Sequence, residues 1–194
     1  MKILSSVVLP EMLPKIDVLV SDLTQKIRND FYELNMKQLK WVSSVTTDYL
    51  RSVGLDLGAI YQKTDDFGNS MLHKLVQIRD IKPLKLLISK FNNVNIQNDK
   101  QETPLHIACK VGNKGAAKVL LSYYAEIDVK DQNGNTPLMN VASQKNPDVS
   151  FLNFLLRNGA DLCMENNFNE KAWDIATTVK SKDKVLRLLN PYYR

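Results

Sequence analysis

His73 and His106 are the only imidazoles in this 194-residue chain, and they stand 33 positions apart. An imidazole can act as a general base or bind a metal, but either task needs a nucleophile, a carboxylate or a thiolate held beside it. Neither histidine is accompanied by the spacing of a nucleophilic triad, a Gly-rich phosphate loop or a metal-ligand cluster. Asp65 and Asp66 are adjacent acids, yet their position ahead of Phe67-Gly68-Asn69 suits turn chemistry better than paired acid–base work. The two thiols, Cys109 and Cys163, lie far apart without metal or disulfide-framework spacing, which suits a reducing, intracellular setting. Asp17, Asp22, Asp30 and Glu33 read as the solvated sides of helices. We therefore expect no catalytic residue, no cofactor and no metal.

The histidines belong to a larger pattern. Ser70-Met71-Leu72-His73, Thr103-Pro104-Leu105-His106, Thr136-Pro137-Leu138-Met139 and the degraded Lys171-Ala172-Trp173-Asp174 share one template, the first three 33 residues apart and the last 35. A period near 33 residues marks a solenoid, in which one unit cannot bury its apolar face alone. Thr-Pro opens a helix well, because the hydroxyl caps free backbone donors and proline has no N–H to leave unpaired. Leu105 with Ala108, and Leu138 with Ala142, then share one helical face, and a second apolar stripe follows a short loop. Asp131-Gln132-Asn133-Gly134-Asn135 is a turn by composition. Each unit is thus turn, helix, loop, helix, with stability close to a sum over repeats and their interfaces.

These residues resemble the ankyrin repeat over about 63–190. With Asp65, Asn98, Asp131 and Asn166 as first positions, the turn glycine is Gly68 or Gly134, with Gln101 and Asn169 as departures. The small residue of the first helix is Ala108, Ala142 or Ala176, but Leu75 in the first repeat. The second helix carries Leu86-Leu87, Leu120-Leu121, Leu155-Leu156 and Leu188-Leu189, and Gly159-Ala160-Asp161 matches the repeat-ending turn. Phe91 and Tyr124 occupy that glycine site, where left-handed backbone would cost roughly 1 kcal/mol. Pro147 and Asp148 mark the two extra residues of repeat three, where a distorted connection is expected. The resemblance implies an all-α ankyrin solenoid over 61–194 in four repeats, 65–97, 98–130, 131–165 and 166–194, with the histidines in structural roles.

It also implies a protein partner, gripped by the hairpin tips and the exposed ends of the first helices. Carried over by position, the tips offer Asp66, Phe67 and Asn69; Asp99, Lys100 and Glu102; Gln132, Asn133 and Asn135; Asn167, Phe168 and Glu170. The helices offer Gln77, Ile78, Lys110, Val111, Ser143 and Gln144. Phe67, Ile78, Val111 and Phe168 are the expected anchors, since aromatic and aliphatic groups dominate interface energetics. Phe67 and Phe168 folding back onto their own turns is the competing reading.

Residues 1–60 are expected to form a separate helical region packed on the first repeat. Pro14 suits a first turn, and Ile16, Leu19, Val20, Leu23 and Ile27 recur at helical spacing; a second helix spans Met36 to about Val53. These helices either seal the end of the stack or dock a second protein. Leu9, Pro10, Leu13 and Ile16 resemble the opening of an F-box, one residue short, which implies docking on the Skp1 subunit of a ubiquitin ligase and an adaptor role. An enzyme hidden in these helices is the third alternative. Met1 to Leu9 reads as the first residues of a folded domain, with Glu11 close behind and no small-residue cleavage site.

The net charge of +5 falls outside residues 1–60, which hold seven basic and seven acidic side chains. Glu170, Asp174 and Asp183 break up the late lysines, so a solvated face is expected rather than a nucleic-acid partner. No apolar run approaches a membrane span, and a cytoplasmic monomer is expected. Eighteen asparagines with abundant lysine and isoleucine suit an AT-rich genome, such as that of an intracellular bacterium or a large DNA virus. Short ankyrin proteins of such organisms act as effectors, which places the expected site of action in the host cytosol.

Overall fold

A computed structural model describes residues 64–179 and 183–190. The expectations placed on residues 1–60, including both helices and the Leu9, Pro10, Leu13 and Ile16 motif, lie outside the described residues. Among the described residues the regular elements are helices, with one isolated bridge between Thr64 and Ser70. The helices come in pairs: α1 Met71–Leu75 with α2 Lys82–Leu87, α3 Pro104–Lys110 with α4 Lys114–Ser122, α5 Pro137–Ala142 with α6 Val149–Arg157, and α7 Ala172–Thr178 with α8 Asp183–Leu189. A 3-10 turn, Ile88–Lys90, extends α2. The inner helices stack in order, α1 on α3, α3 on α5 and α5 on α7.

Each inner helix starts where the sequence template begins. Thr103 and Thr136 hold extended backbone at the N-cap, and their hydroxyls accept from the N–H of His106 and Met139, with Pro104 and Pro137 opening the helix. Such a cap contributes about 1 kcal/mol. In the fourth repeat Lys171 supplies no hydroxyl, so Asp174 closes the turn alone, accepting the Lys171 N–H at 2.8 Å.

The core repeats as the caps do. Leu72, Leu105 and Leu138 are buried from the inner helices, while Leu84, Leu87, Leu120, Leu152 and Leu155 are buried from the outer ones. Removing each from water contributes about 1.5–3 kcal/mol. Ala108, Ala142 and Ala176 have no exposed surface, because a larger side chain there would hold neighbouring inner helices apart. In repeat three the two extra residues lengthen the connection to 143–148, and the added Asp148 caps α6 by accepting from the Ser150 N–H at 2.7 Å. Lys114 and Lys118 lie 6.0 and 5.8 Å from the Phe154 ring centroid, tying α4 to α6.

The repeat-ending position divides the two residues expected to carry left-handed backbone. Tyr124 does so, at φ 62°, and is 91% exposed. Phe91 does not: at φ −88° and ψ 128° it is extended, because the 3-10 turn ends the helix without a left-handed residue. The Tyr124 side chain has little contact to compensate its strain. Tyr124→Gly should relieve about 1 kcal/mol of strain and lose roughly half of it to the greater freedom of glycine in the unfolded chain, a net gain of about 0.5 kcal/mol in urea unfolding.

Candidate functional site

Four carboxylate or amide oxygens build the hairpin tips. Asp65 Oδ1 accepts from the N–H of Phe67 and Asn69 at 3.0 and 2.9 Å, and Asn98, Asp131 and Asn166 repeat this two- and four-residue clamp. The clamp forces the fourth residue of each tip into left-handed backbone, at φ 72° for Gly68, 57° for Gln101, 76° for Gly134 and 60° for Asn169. Successive tips are then linked through the backbone, from Asp99 N–H to Phe67 C=O, Gln132 N–H to Lys100 C=O and Asn167 N–H to Asn133 C=O.

The histidines fasten the inner helices to the next tip. A carbonyl can only accept, so Nε2–H of His73 donates to Glu102 C=O at 2.8 Å, and that of His106 to Asn135 C=O at 3.1 Å. Nδ1 is left as the acceptor for the N–H of Ser70 and Thr103, each at 3.1 Å. Burial, the largest influence, holds both imidazoles below their ordinary range, against the weaker upward pull of the carbonyls and of Glu102. Both nitrogens of each ring are therefore engaged within the chain. Burial likewise pushes the Cys109 thiol far above its ordinary value, while Cys163 is exposed.

The tips present Asp66, Phe67, Asp99, Lys100, Gln132, Asn133, Asn167 and Phe168 to solvent. Gln77, Ile78, Lys110, Val111 and Ser143 are exposed at the ends of the inner helices. Phe67 and Phe168 are each 69% exposed and Val111 51%, so neither phenylalanine folds back into its own turn.

The remaining expected contacts serve the stack. Glu102, expected as a tip contact, is 5% exposed: its carboxylate takes the ammonium of Lys110 and the Asn98 amide. Burial raises the Glu102 carboxyl most strongly, but these partners outweigh it and hold the group below its ordinary value. Asn69 and Asn135 are half-buried and accept from Asn98 and Asn166 of the following repeat, at 2.8 and 3.0 Å. Glu170 is half-buried against Asn166, and Gln144 donates to Cys109 C=O at 2.7 Å.

Repeats one and two form an open cavity of about 270 Å³, lined by the exposed Phe67 and Val111 with Ile107, by the buried Asn98 and Glu102 with Asn69, and by Gln77, Asp99, Lys100 and Lys110. It is smaller than the roughly 300–1,000 Å³ clefts that hold drug-sized ligands. Position-by-position transfer overlooked Ile107 and Asn98. The signal for Ile107 lay in its spacing of four from Val111, which puts both on one helical face.

Comparison with known proteins agrees with this architecture. A family model described as ankyrin repeats in three copies matches residues 47–131, and one described as an ankyrin repeat matches 133–167, together more than half of the chain. The chain belongs to the ankyrin-repeat family. The first match starts ahead of the boundary expected at residue 60. The chain is 33% identical over 110 residues to the human transient receptor potential cation channel subfamily A member 1, covering 56% of this chain and 10% of the channel. It is 33% identical over 135 residues to the yeast probable 26S proteasome regulatory subunit p28, covering 67% of this chain and 58% of that protein. It is 35% identical over 63 residues to a putative ankyrin repeat protein of fowlpox virus, covering 32% of this chain and 34% of the viral protein. The chain thus spans a tenth to just over half the length of these relatives. No helix among the described residues is long and apolar enough to cross a membrane.

Proposed function

We propose that this protein acts without catalysis, by binding a partner protein along its hairpin tips and inner-helix ends. The observation that carries this reading is the exposure of Phe67 and Phe168 on tips whose backbone is fixed by the Asp/Asn clamps, together with that of Val111 at the end of an inner helix. Exposed aromatics on rigid turns lose little conformational freedom on binding, which favours them as anchors. The charged contacts gather in repeats one and two, whereas repeats three and four offer the neutral polar groups of Gln132, Asn133, Ser143 and Asn167 beside the Phe168 ring. In this reading Phe67, Val111 and Phe168 supply affinity and the polar tips between them complementarity. The asparagine-rich composition and the fowlpox relative support an effector that acts on host proteins.

The test is affinity capture from eukaryotic lysate with the full chain and with a Phe67→Ala/Phe168→Ala double variant. Capture should fall at least tenfold, a loss of about 1.4 kcal/mol, while the unfolding midpoint stays that of the parent. Undiminished capture, or a large drop in thermal stability, would overturn the assignment of these rings to a binding surface.

A further inference from the structure

Resting on that reading, we infer that the cavity between repeats one and two takes one large apolar side chain, of the size of leucine or methionine, from an extended segment of the partner. Three observations select this occupant. First, the polar lining of Asn69, Asn98 and Glu102 is committed within the chain: Asn98 Oδ1 accepts from the N–H of Lys100 and Glu102, and Asn98 Nδ2 donates to Asn69 Oδ1 and Glu102 Oε2. Glu102 Oε1 holds the Lys110 ammonium, Asn69 Nδ2 donates to Asp65, and the Gln77 amide donates to His73 C=O. An amide or ammonium donor seeking the Asn69 or Asn98 side chain would compete with one of these bonds. Second, the charged residues that line it, Asp99, Lys100, Glu102 and Lys110, sum to zero, so the cavity selects neither a cation nor an anion. Third, the side chains that remain besides Asp99 and Lys100 are apolar, namely the Phe67 ring and the Ile107 and Val111 side chains, and the volume of about 270 Å³ suits a side chain better than a whole small molecule. Asp99 and Lys100, both exposed, flank the entrance and can meet the partner's backbone or neighbouring polar groups.

Backbone amide resonances of the full chain, followed by NMR during titration, test this with three probes: N-acetyl-leucine amide, N-acetyl-arginine amide and N-acetyl-glutamate amide. The leucine probe should move the Phe67, Gly68, Ile107 and Val111 amides saturably and at lower concentration than the other two. Val111→Lys, a change at an exposed position, should abolish that saturation while leaving the unfolding midpoint unchanged. A stronger response to the arginine or glutamate probe, or no response at these amides to any probe, overturns the inference. Failure here is distinguishable from failure of the wider reading. If Val111→Lys still captures a partner that Phe67→Ala/Phe168→Ala loses, the surface stands and the apolar cavity does not contribute. If leucine amide fills the cavity but the double variant captures as the parent does, the cavity stands and the proposed surface falls.

Discussion

Replacing His106 by alanine will lower stability by about 3 kcal/mol: it strands the buried Thr103 N–H, worth roughly 1–3 kcal/mol when unpaired, and removes the imidazole bond to the Asn135 C=O, worth roughly 0.5–1.5 kcal/mol, although that carbonyl keeps the Asp131 N–H. Urea unfolding of the parent and variant measures this directly. Met139→Ala at the equivalent position should cost about 2–5 kcal/mol by another route, the cavity left by a fully buried side chain, since its thioether contact to the Thr136 N–H at 3.4 Å is weak. The same geometry makes the fold sensitive to mild acid. Folding favours the neutral form of both histidines, so their folded values lie below an unfolded value near 6.5, and the unfolded chain binds more protons below that point. Their contribution is complete above about pH 6.5 and is lost as pH falls from there towards the folded values. Glu102, held low by Lys110 and Asn98, adds a second loss as pH falls below about 4.5 and through its folded value. The urea midpoint should decline in the first window for the parent and less steeply for His106→Ala. A flat profile between pH 7 and 5 would contradict the hydrogen-bond roles given to the imidazoles.

Gly134→Ala should cost about 3 kcal/mol, combining left-handed strain with a collision. A Cβ at residue 134 would stand 2.7 Å from the Asn167 backbone nitrogen and 2.5 Å from its Oδ1, and the N–H of Asn167 is already bonded to Asn133 C=O. The tip of repeat four would have to lift away from that of repeat three. Gly159→Ala provides the comparison: its φ of 96° is also left-handed, but a Cβ there meets nothing within 4 Å. Strain alone should cost about 1 kcal/mol. Equal losses at the two sites, measured in urea, would show that tip-to-tip packing contributes little. The contrast bears on function because the glycine fixes the spacing at which neighbouring tips present their side chains.

Element order and the structural use of the histidines, among the described residues, were legible in the sequence because they follow from short-range rules. Thr-Pro fixes a helix start, alanines mark the packed face, and a residue tolerant of left-handed backbone marks the tip. Gln101 shows the limit of such rules: it adopts φ 57° without being glycine, because the Asn98 side chain already holds the turn. Phe91 was misread for a similar reason, since its backbone depends on how the 3-10 turn ends rather than on residue type. The site was legible only by position. Glu102 occupies a tip position and still points inward, because Lys110, eight residues later, and Asn98 hold its carboxylate. The cavity itself arises from two repeats meeting, so no single repeat's sequence contains it.

The central claim is that the tips and inner-helix ends, rather than the end of the outer helix α4 at Tyr124, meet the partner. Photocrosslinking tests it most directly, with p-benzoylphenylalanine placed singly at position 67, 168 or 124, all exposed aromatic sites, in full chain incubated with eukaryotic lysate. The account predicts a discrete protein adduct of the same mass from positions 67 and 168, absent from position 124. Crosslinking from position 124 with none from 67 and 168 would place the partner at the outer-helix end and contradict it.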